Sequence, residues 1–470
     1  MDSRHGNSIM SVVMLPWLAH GHISPFFELA KKLSERNFHI FFCSTPVILN
    51  SVKPKLPERY NHCIEFVELH LPHDVFPELA PHYHTTNGLP PHLMPTLKKA
   101  LQMASPYFSN ILKTLNPDFL IYDFVVPWAL SLGLDQNIPT IQFFIFSAVS
   151  VSFLFHRLFK GPSVRFPFPA IYLRDYEISK FNSMMPPASS NDNRKDDRVP
   201  PLQSPITTGR SCDLILLKTF REIEGKYVDY LYELMDSKIL LLGPLLHDPT
   251  KDQEDKDEET DHIIKWLNKR ETSSVVYISF GSEYFLSKEE IEEIAHGLEL
   301  SKVSFIWVVR FPMEEKITRA EEVLLKGFVE RVGERGMIVE GWASQTKILQ
   351  NSSVGGFLSH CGWSSVLESM KFGVPIIAMP MHLDQPYNAR LVEELGVGVE
   401  VKKTGRGGGL QREEVAKVIK DVMENNIGEV VRRKAMELRD NIGKREDREI
   451  EGLVDELVQL RIRTGKESIN

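Results

Sequence analysis

Runs of β-branched and aromatic residues recur along this chain, each followed by a stretch in which apolar residues return every three or four positions. In the first half the runs are SVVML (residues 11–15), HIFFC (39–43), FLIYD (119–123), TIQFF (140–144) and LILL (214–217), which predict buried strands. The stretch SPFFELAKKLSER (24–36) predicts a helix, with Ser24 as N-cap, Pro25 in the first helical position and Lys and Arg near its end. The alternation begins again after Arg270. SVVYISFG (274–281), SFIWVVR (304–310), GMIVEG (336–341), VGGFLSH (354–360) and VPIIAMP (374–380) predict strands, and 287–301 and 411–425 predict helices. Two such blocks imply an α/β chain with two doubly wound parallel sheets. Between them, residues 241–262 turn from apolar to strongly acidic with no periodic apolar face, the mark of a solvated linker. Residues 186–201 read as a polar surface loop, and 449–463 as a helix packing across the blocks.

Composition narrows the class. A 470-residue chain with 42% hydrophobic and 25% charged residues has the make-up of a globular protein of two or three domains. A net charge of −8, from 55 basic and 63 acidic residues, argues against nucleic acid or an anionic membrane as the main partner. Cys43, Cys63, Cys212 and Cys361 lie far apart with no Cys-x-x-Cys pair, which disfavours a zinc ribbon or redox dithiol and fits free thiols in a reducing compartment. The longest apolar run, FFIFSAVSVSFLF (143–155), falls short of the roughly 20 residues of a membrane span. The apolar stretch near the N-terminus is short and holds Pro16, so no signal peptide is expected. The expectation is a cytoplasmic enzyme.

Ligands of open α/β sheets bind beyond the carboxyl ends of the strands, and two facing sheets bring those ends to one cleft. The richest such place is FLSHCGWSSVLESM (357–370), which passes from a strand through a tight turn into a helix. Ser364 and Ser365 fall at the helix start, where free amides and a partial positive charge favour a diphosphate. Gly362 lets the backbone approach closely, and His360 adds a donor. SFGS (279–282) repeats the arrangement, with Ser282 as a second phosphate contact. Plainer readings stand beside these. Ser365 and Glu368 have capping-box spacing, Trp342 and Trp363 taken singly are ordinary core residues, and His360 and Cys361 need not face each other as a nucleophilic pair.

Taken together, residues 342–385 resemble the signature box of the plant family-1 UDP-sugar-dependent glycosyltransferases. Trp342 opens it, Asp384-Gln385 closes it, and His360-Cys361-Gly362-Trp363 and Glu368-Ser369 lie within. The resemblance implies a GT-B fold, two Rossmann-like doubly wound domains facing a central cleft. It places an acceptor-binding domain at 1–245, the acidic linker at 246–262, a UDP-sugar-binding domain at 263–448, and a C-terminal helix and tail at 449–470. It further implies that Trp342 stacks on uracil, Gln345 helps hold the nucleoside, and Glu368 accepts hydrogen bonds from the ribose. His360, Ser365 and Ser282 would contact the diphosphate. Trp363, Asp384 and Gln385 would contact sugar hydroxyls, the final Gln being associated with glucose donors. Three positions depart from the family pattern: Ser344 for the usual Pro, Asn351 for the usual His, and Ser364 for the Asn that commonly follows the Trp and helps grip the phosphate. A Ser hydroxyl can still donate one hydrogen bond there.

The first block answers with LPWLAHGHISPFFEL (15–29), in which His20 and His22 share one turn. They read as a metal pair, as structural histidines, or as a general base. No carboxylate or third His accompanies them at metal spacing, so no metal is expected. His22 precedes the expected helix start at Ser24, whose positive end would keep the imidazole neutral, as a base requires. The resemblance gives the catalytic role to the His three residues before the Pro, which is His22, with His20 as fallback. It gives the catalytic Asp to Asp123, which would fix the tautomer and stabilise the imidazolium. The implied reaction is inverting transfer: His22 deprotonates an acceptor hydroxyl that attacks the anomeric carbon of a UDP-sugar co-substrate. Preorganised donors would replace a metal. The Asp-x-Asp at Asp255-Lys256-Asp257 sits in the acidic linker and reads as a solvated charge run.

Segments 15–26, 84–95, 279–285, 307–312 and 378–386 resemble the branch that adds sugars to sugars already on flavonoids or triterpenoids. Two other classes compete. An oxidoreductase would need Gly-x-Gly-x-x-Gly, but TGRGGGLQ (404–411) has Leu410 where the third Gly belongs. A nucleotide-sugar binder without turnover is motivated by Ser364 and Asn351, and opposed by the retention of His22 and Asp123.

Overall fold

The computed structural model describes residues 9–184, 212–247, 258–311, 324–405, 407–442 and 446–465. The polar loop at 186–201 and Asp255-Lys256-Asp257 lie outside them, as does much of the acidic linker.

Two parallel sheets form where the β-branched and aromatic runs lie. The first contains β1 (Met10–Leu15), β2 (Phe38–Ser44), β3 (Ile64–Glu68), β4 (Phe119–Asp123), β5 (Thr140–Phe144), β6 (Leu214–Leu217) and β7 (Ile239–Leu241), in the order β3-β2-β1-β4-β5-β6-β7. The second contains β8 (Val275–Ser279), β9 (Ser304–Val309), β10 (Gly336–Glu340), β11 (Val354–Ser359), β12 (Ile376–Ala378) and β13 (Gly398–Glu400), in the order β10-β9-β8-β11-β12-β13. Parallel strands joined by crossover helices are covered on both faces, and every residue of β4, β5 and β8 is buried accordingly. The architecture is the GT-B arrangement of two Rossmann-type sheets. β3 and β7 escaped the hydrophobic pattern for a physical reason. Both are edge strands, β3 keeps Glu65 and Glu68 exposed, and β7 is three residues long.

One boundary differs in a way that matters. The first helix spans His20–Ser34, not 24–36; Ala19 is its extended N-cap, and the N–H groups of His22 and Ile23 both reach the Ala19 carbonyl. Ser24 is therefore not the cap, and Pro25 lies inside the helix. His22 sits within the first turn rather than ahead of it.

The halves are not separate bodies joined by a string. The apolar core of the first sheet continues through Trp363, Val366, Leu367, Met370 and Tyr387 of the second half. The final helix, Glu446–Arg463, buries Ile450, Leu453, Leu457 and Leu460 in that same core and packs on β7 and the first helix. A shared apolar interface fixes how the strand ends of the two sheets face each other. Among the described residues no helix is long and apolar enough to cross a membrane. The four cysteines are free, three of them buried.

Candidate active site

His22 and Asp123 are brought together by sheet register. β1 and β4 are parallel neighbours with Leu15 opposite Tyr122, so Asp123 ends its strand beside the turn that follows β1. Its Oδ2 accepts from the Trp17 N–H at 3.2 Å and from His22 Nδ1 at 2.7 Å, and its Oδ1 accepts from the Val125 N–H at 3.0 Å. The carboxylate is fully buried and His22 is 7% exposed. A carboxylate only accepts, so His22 carries its proton on Nδ1 and presents the Nε2 lone pair. Phe146 stands edge-on to the imidazole at 5.5 Å and dries its surroundings. Burial pulls the His22 pKa down, but the Asp123 charge and hydrogen bond, with smaller help from Glu283 and Asp384, carry it above the ordinary value. This corrects the expectation drawn from the helix end: the adjacent buried carboxylate outweighs the helix dipole. His20 is a different group. Its ring is edge-on to Trp342 at 5.1 Å, and burial, Lys55 and Arg310 push its pKa down to about 4, which makes it a weak base.

The second half supplies the facing groups, each just beyond a strand. Trp342 follows β10 and is 54% exposed, with Lys55 of the first half over its ring at 5.3 Å. Gln345 opens the helix Gln345–Gln350, and its Nε2 donates to Glu368 Oε2 at 2.6 Å and to Ser365 Oγ at 3.1 Å. Burial raises the Glu368 pKa against the pull of Gln345 and Lys218. His360 follows β11, and burial with nearby His382 lowers its pKa to about 4, so the ring is a neutral hydrogen-bonding group. Its position explains two glycines. A Cβ on either Gly281 or Gly362 would lie 2.6 Å from His360 Nε2, so both turns, SFGS and HCGW, need Gly to admit the ring. Ser282 is half-buried in the first of these turns. Ser365 is the third residue of the helix Trp363–Phe372, whose N-terminus has no side-chain cap and leaves its first amides free.

Three of the expected sugar contacts are already engaged. The Trp363 indole is buried and its Nε1–H donates to the Lys218 carbonyl at 2.6 Å. Gln385 is 4% exposed; its Oε1 accepts from the Met381 and His382 amides at 2.9 and 3.0 Å, and its Nε2 meets His382 Nδ1 at 2.9 Å. Its side chain shapes the loop it closes. Asp384 is held by Asn388 Nδ2 at 2.8 Å, and burial raises its pKa to about 6.

The departures from the family pattern are explained by neighbours. The Ser344 N–H, which a Pro would lack, donates to Thr260 Oγ1 at 3.3 Å. Asn351 caps a turn by accepting from the Ser353 N–H at 3.0 Å and donates to Asn268 Oδ1 at 2.9 Å, a local structural role. Ser364 Oγ receives a hydrogen bond from Lys218 Nζ at 2.8 Å.

Lys218 and Asn388 were missed by sequence reasoning. Lys218 directly follows the apolar run LILL, where a strand end in this fold faces the ligand; that was its signal. Asn388 sits four residues after Asp384 on one helix face. Its Nδ2 also donates to the Cys361 carbonyl at 2.9 Å, and its Oδ1 accepts from Ser147 Oγ at 2.5 Å and Ser150 Oγ at 3.3 Å across the domain interface. Arg310 closes a further bridge, donating to Asn87 Oδ1 at 2.6 Å. Among the described residues no group of three or more His, Cys, Asp or Glu is arranged to hold a metal ion.

Comparison with known proteins gives the family. Residues 250–450 match the family model described as UDP-glucoronosyl and UDP-glucosyl transferase, and residues 8–247 match that of the glycosyltransferase N-terminal domain. The β-D-glucosyl crocetin β-1,6-glucosyltransferase of Gardenia jasminoides is 51% identical over 97% of this chain and 100% of its own. A mogroside IIIx synthase of Siraitia grosvenorii is 50% identical over 98% of this chain and 95% of its own. Among solved structures, a Phytolacca americana protein complexed with UDP-2-fluoro-glucose and pterostilbene superposes with a TM-score of 0.73, at 26% identity, over 96% of this chain and 99% of its own.

Proposed function

Because the chain belongs to the UDP-glucoronosyl and UDP-glucosyl transferase family, and so is a UDP-glycosyltransferase, we propose that it moves glucose from UDP-glucose to a hydroxyl of a sugar already carried by a small molecule, a triterpenoid or flavonoid glycoside. The carrying observation is the buried His22–Asp123 pair, held at 2.7 Å with Nε2 left to meet an acceptor hydroxyl. His22 takes the proton as the acceptor oxygen attacks the anomeric carbon. Asp123 stabilises the imidazolium that forms. UDP leaves from the opposite face, so an α-linked donor gives a β-glycoside. Charge on the departing diphosphate is met by His360, Ser282, Ser365 and the free amides of the Trp363–Phe372 helix, which do the work without a metal. Trp342 stacks on uracil, Gln345 and Glu368 hold the nucleoside and ribose, and Asp384 and the Trp363 amide hold the sugar. The Gln385 side chain acts through the loop it ties.

In this reading residues 1–245 bind the acceptor, 246–262 link, 263–448 bind the donor, and 449–470 brace the two. The site of action is the cytoplasm. The relatives support the acceptor class: one is named for β-1,6-glucosyl transfer involving β-D-glucosyl crocetin, the other for making a mogroside. The test is mass spectrometry of products from aglycones and their glycosides, each offered several UDP-sugars. The expected product is a glycoside extended by one hexose from UDP-glucose. Ready glucosylation of aglycones with monoglucosides left untouched would overturn the acceptor class.

A further inference from the structure

Lys218 comes from the acceptor half but points at the donor half. It follows β6, its N–H donates to the Phe144 carbonyl at 3.0 Å, and its own carbonyl accepts from Trp363 Nε1 at 2.6 Å, so both halves fix its backbone. Lys218 is 1% exposed. Among the described residues its ammonium has one hydrogen-bond partner, the Ser364 hydroxyl at 2.8 Å, and no carboxylate within ion-pair distance. An ammonium has three protons to donate, and burying it beside a single neutral acceptor is costly unless an anion completes the site. Burial is the largest influence on the ammonium and lowers its pKa to about 8; Glu368, the strongest charge acting the other way, is hydrogen-bonded to Gln345 instead. The ammonium is thus aimed at the second residue of an uncapped helix N-terminus, which is itself positive. Two positive features converge where the described residues hold no bonded anion.

We propose that Lys218 charges the donor-phosphate site through Ser364: the ammonium donates to Ser364 Oγ, and that hydroxyl turns its own proton toward a phosphate oxygen of the UDP-sugar. A hydroxyl loaded by a cation is a stronger donor than a free one. The pair replaces the amide that an Asn at position 364 would supply, and it makes diphosphate binding depend on both halves being in register. The proposal rests on the glycosyltransferase reading and names a residue that acts in it.

The test is calorimetric titration of the full chain with UDP and, separately, with uridine, read as the ratio of the two affinities. Lys218→Met is expected to lower the UDP-to-uridine ratio about tenfold. Lys218→Arg should keep most of it, and Ser364→Asn placed on Lys218→Met should recover part. Should Lys218→Met fail to fold, Ser364→Ala carries the same expectation, because it removes the relaying hydroxyl. An unchanged ratio in either variant, or equal loss of UDP and uridine, overturns the proposal. A wild-type chain that binds no UDP and transfers no sugar would instead sink the glycosyltransferase reading.

Discussion

In the second half of the chain, Trp342, Gln345, His360, Ser365, Glu368 and Asp384 come from one stretch of sequence and meet at the strand ends of one sheet. In the first half, His22 and Asp123 are 101 residues apart and meet only because β1 and β4 pair in one register. The donor side is assembled locally, by turns and helix starts that tolerate small changes in the rest of the chain. The catalytic pair is assembled globally, and a slip of one residue in that register would turn Asp123 to the other face of the sheet. Damage to the two sides should therefore look different. Loss on the first side should abolish turnover and spare nucleotide binding, and loss on the second should weaken nucleotide binding first.

The largest effect is expected from His22→Ala. Removing the base should cut kcat about a thousandfold, since general-base catalysis is worth roughly 10² to 10⁴. UDP affinity by calorimetry should stay at the wild-type value. Asp123→Asn comes next, with a loss of about a hundredfold in kcat, because the amide can no longer fix the tautomer or stabilise the imidazolium. Trp342→Ala should invert the pattern. It should weaken UDP binding about tenfold by loss of one stacked base, with a smaller change in kcat at saturating donor. The smallest effect is expected from Asn388→Ala. It removes one hydrogen bond from Asp384 and the anchor to Ser147, and should raise KM for the UDP-sugar about fivefold while UDP affinity holds. The last two separate nucleotide from sugar recognition within the donor half.

The same contrast explains what the sequence disclosed. The sheets were legible because parallel strands buried on both faces leave uninterrupted apolar runs; β3 is broken by exposed Glu65 and Glu68, and β7 is only three residues long. The donor box was legible because its spacing is fixed within one segment. Asp123 was legible as a strand-end carboxylate, but its hydrogen bonds to Trp17 and Val125 are not, since register is a property of the folded sheet. The lowered proton affinity expected for His22 followed from its helix start alone. The direction is reversed because the carboxylate facing it belongs to another strand. Lys218 and Ser147 act across the domain interface, and no local pattern marks a contact of that kind.

The central claim is that Asp123 sets the proton affinity of His22 and that His22 is the base. The most direct measurement is the pH dependence of kcat/KM for the wild type and Asp123→Asn. Asp123 raises the His22 pKa above 6.5, so the wild-type profile should rise with pH through a midpoint above that value as the imidazole loses its blocking proton. In Asp123→Asn burial is opposed only by the smaller pull of Glu283 and Asp384, and the midpoint should fall below the wild-type one, on a much lower plateau. An acid limb with the same midpoint in both proteins would contradict the account, as would a limb that persists unchanged in His22→Ala.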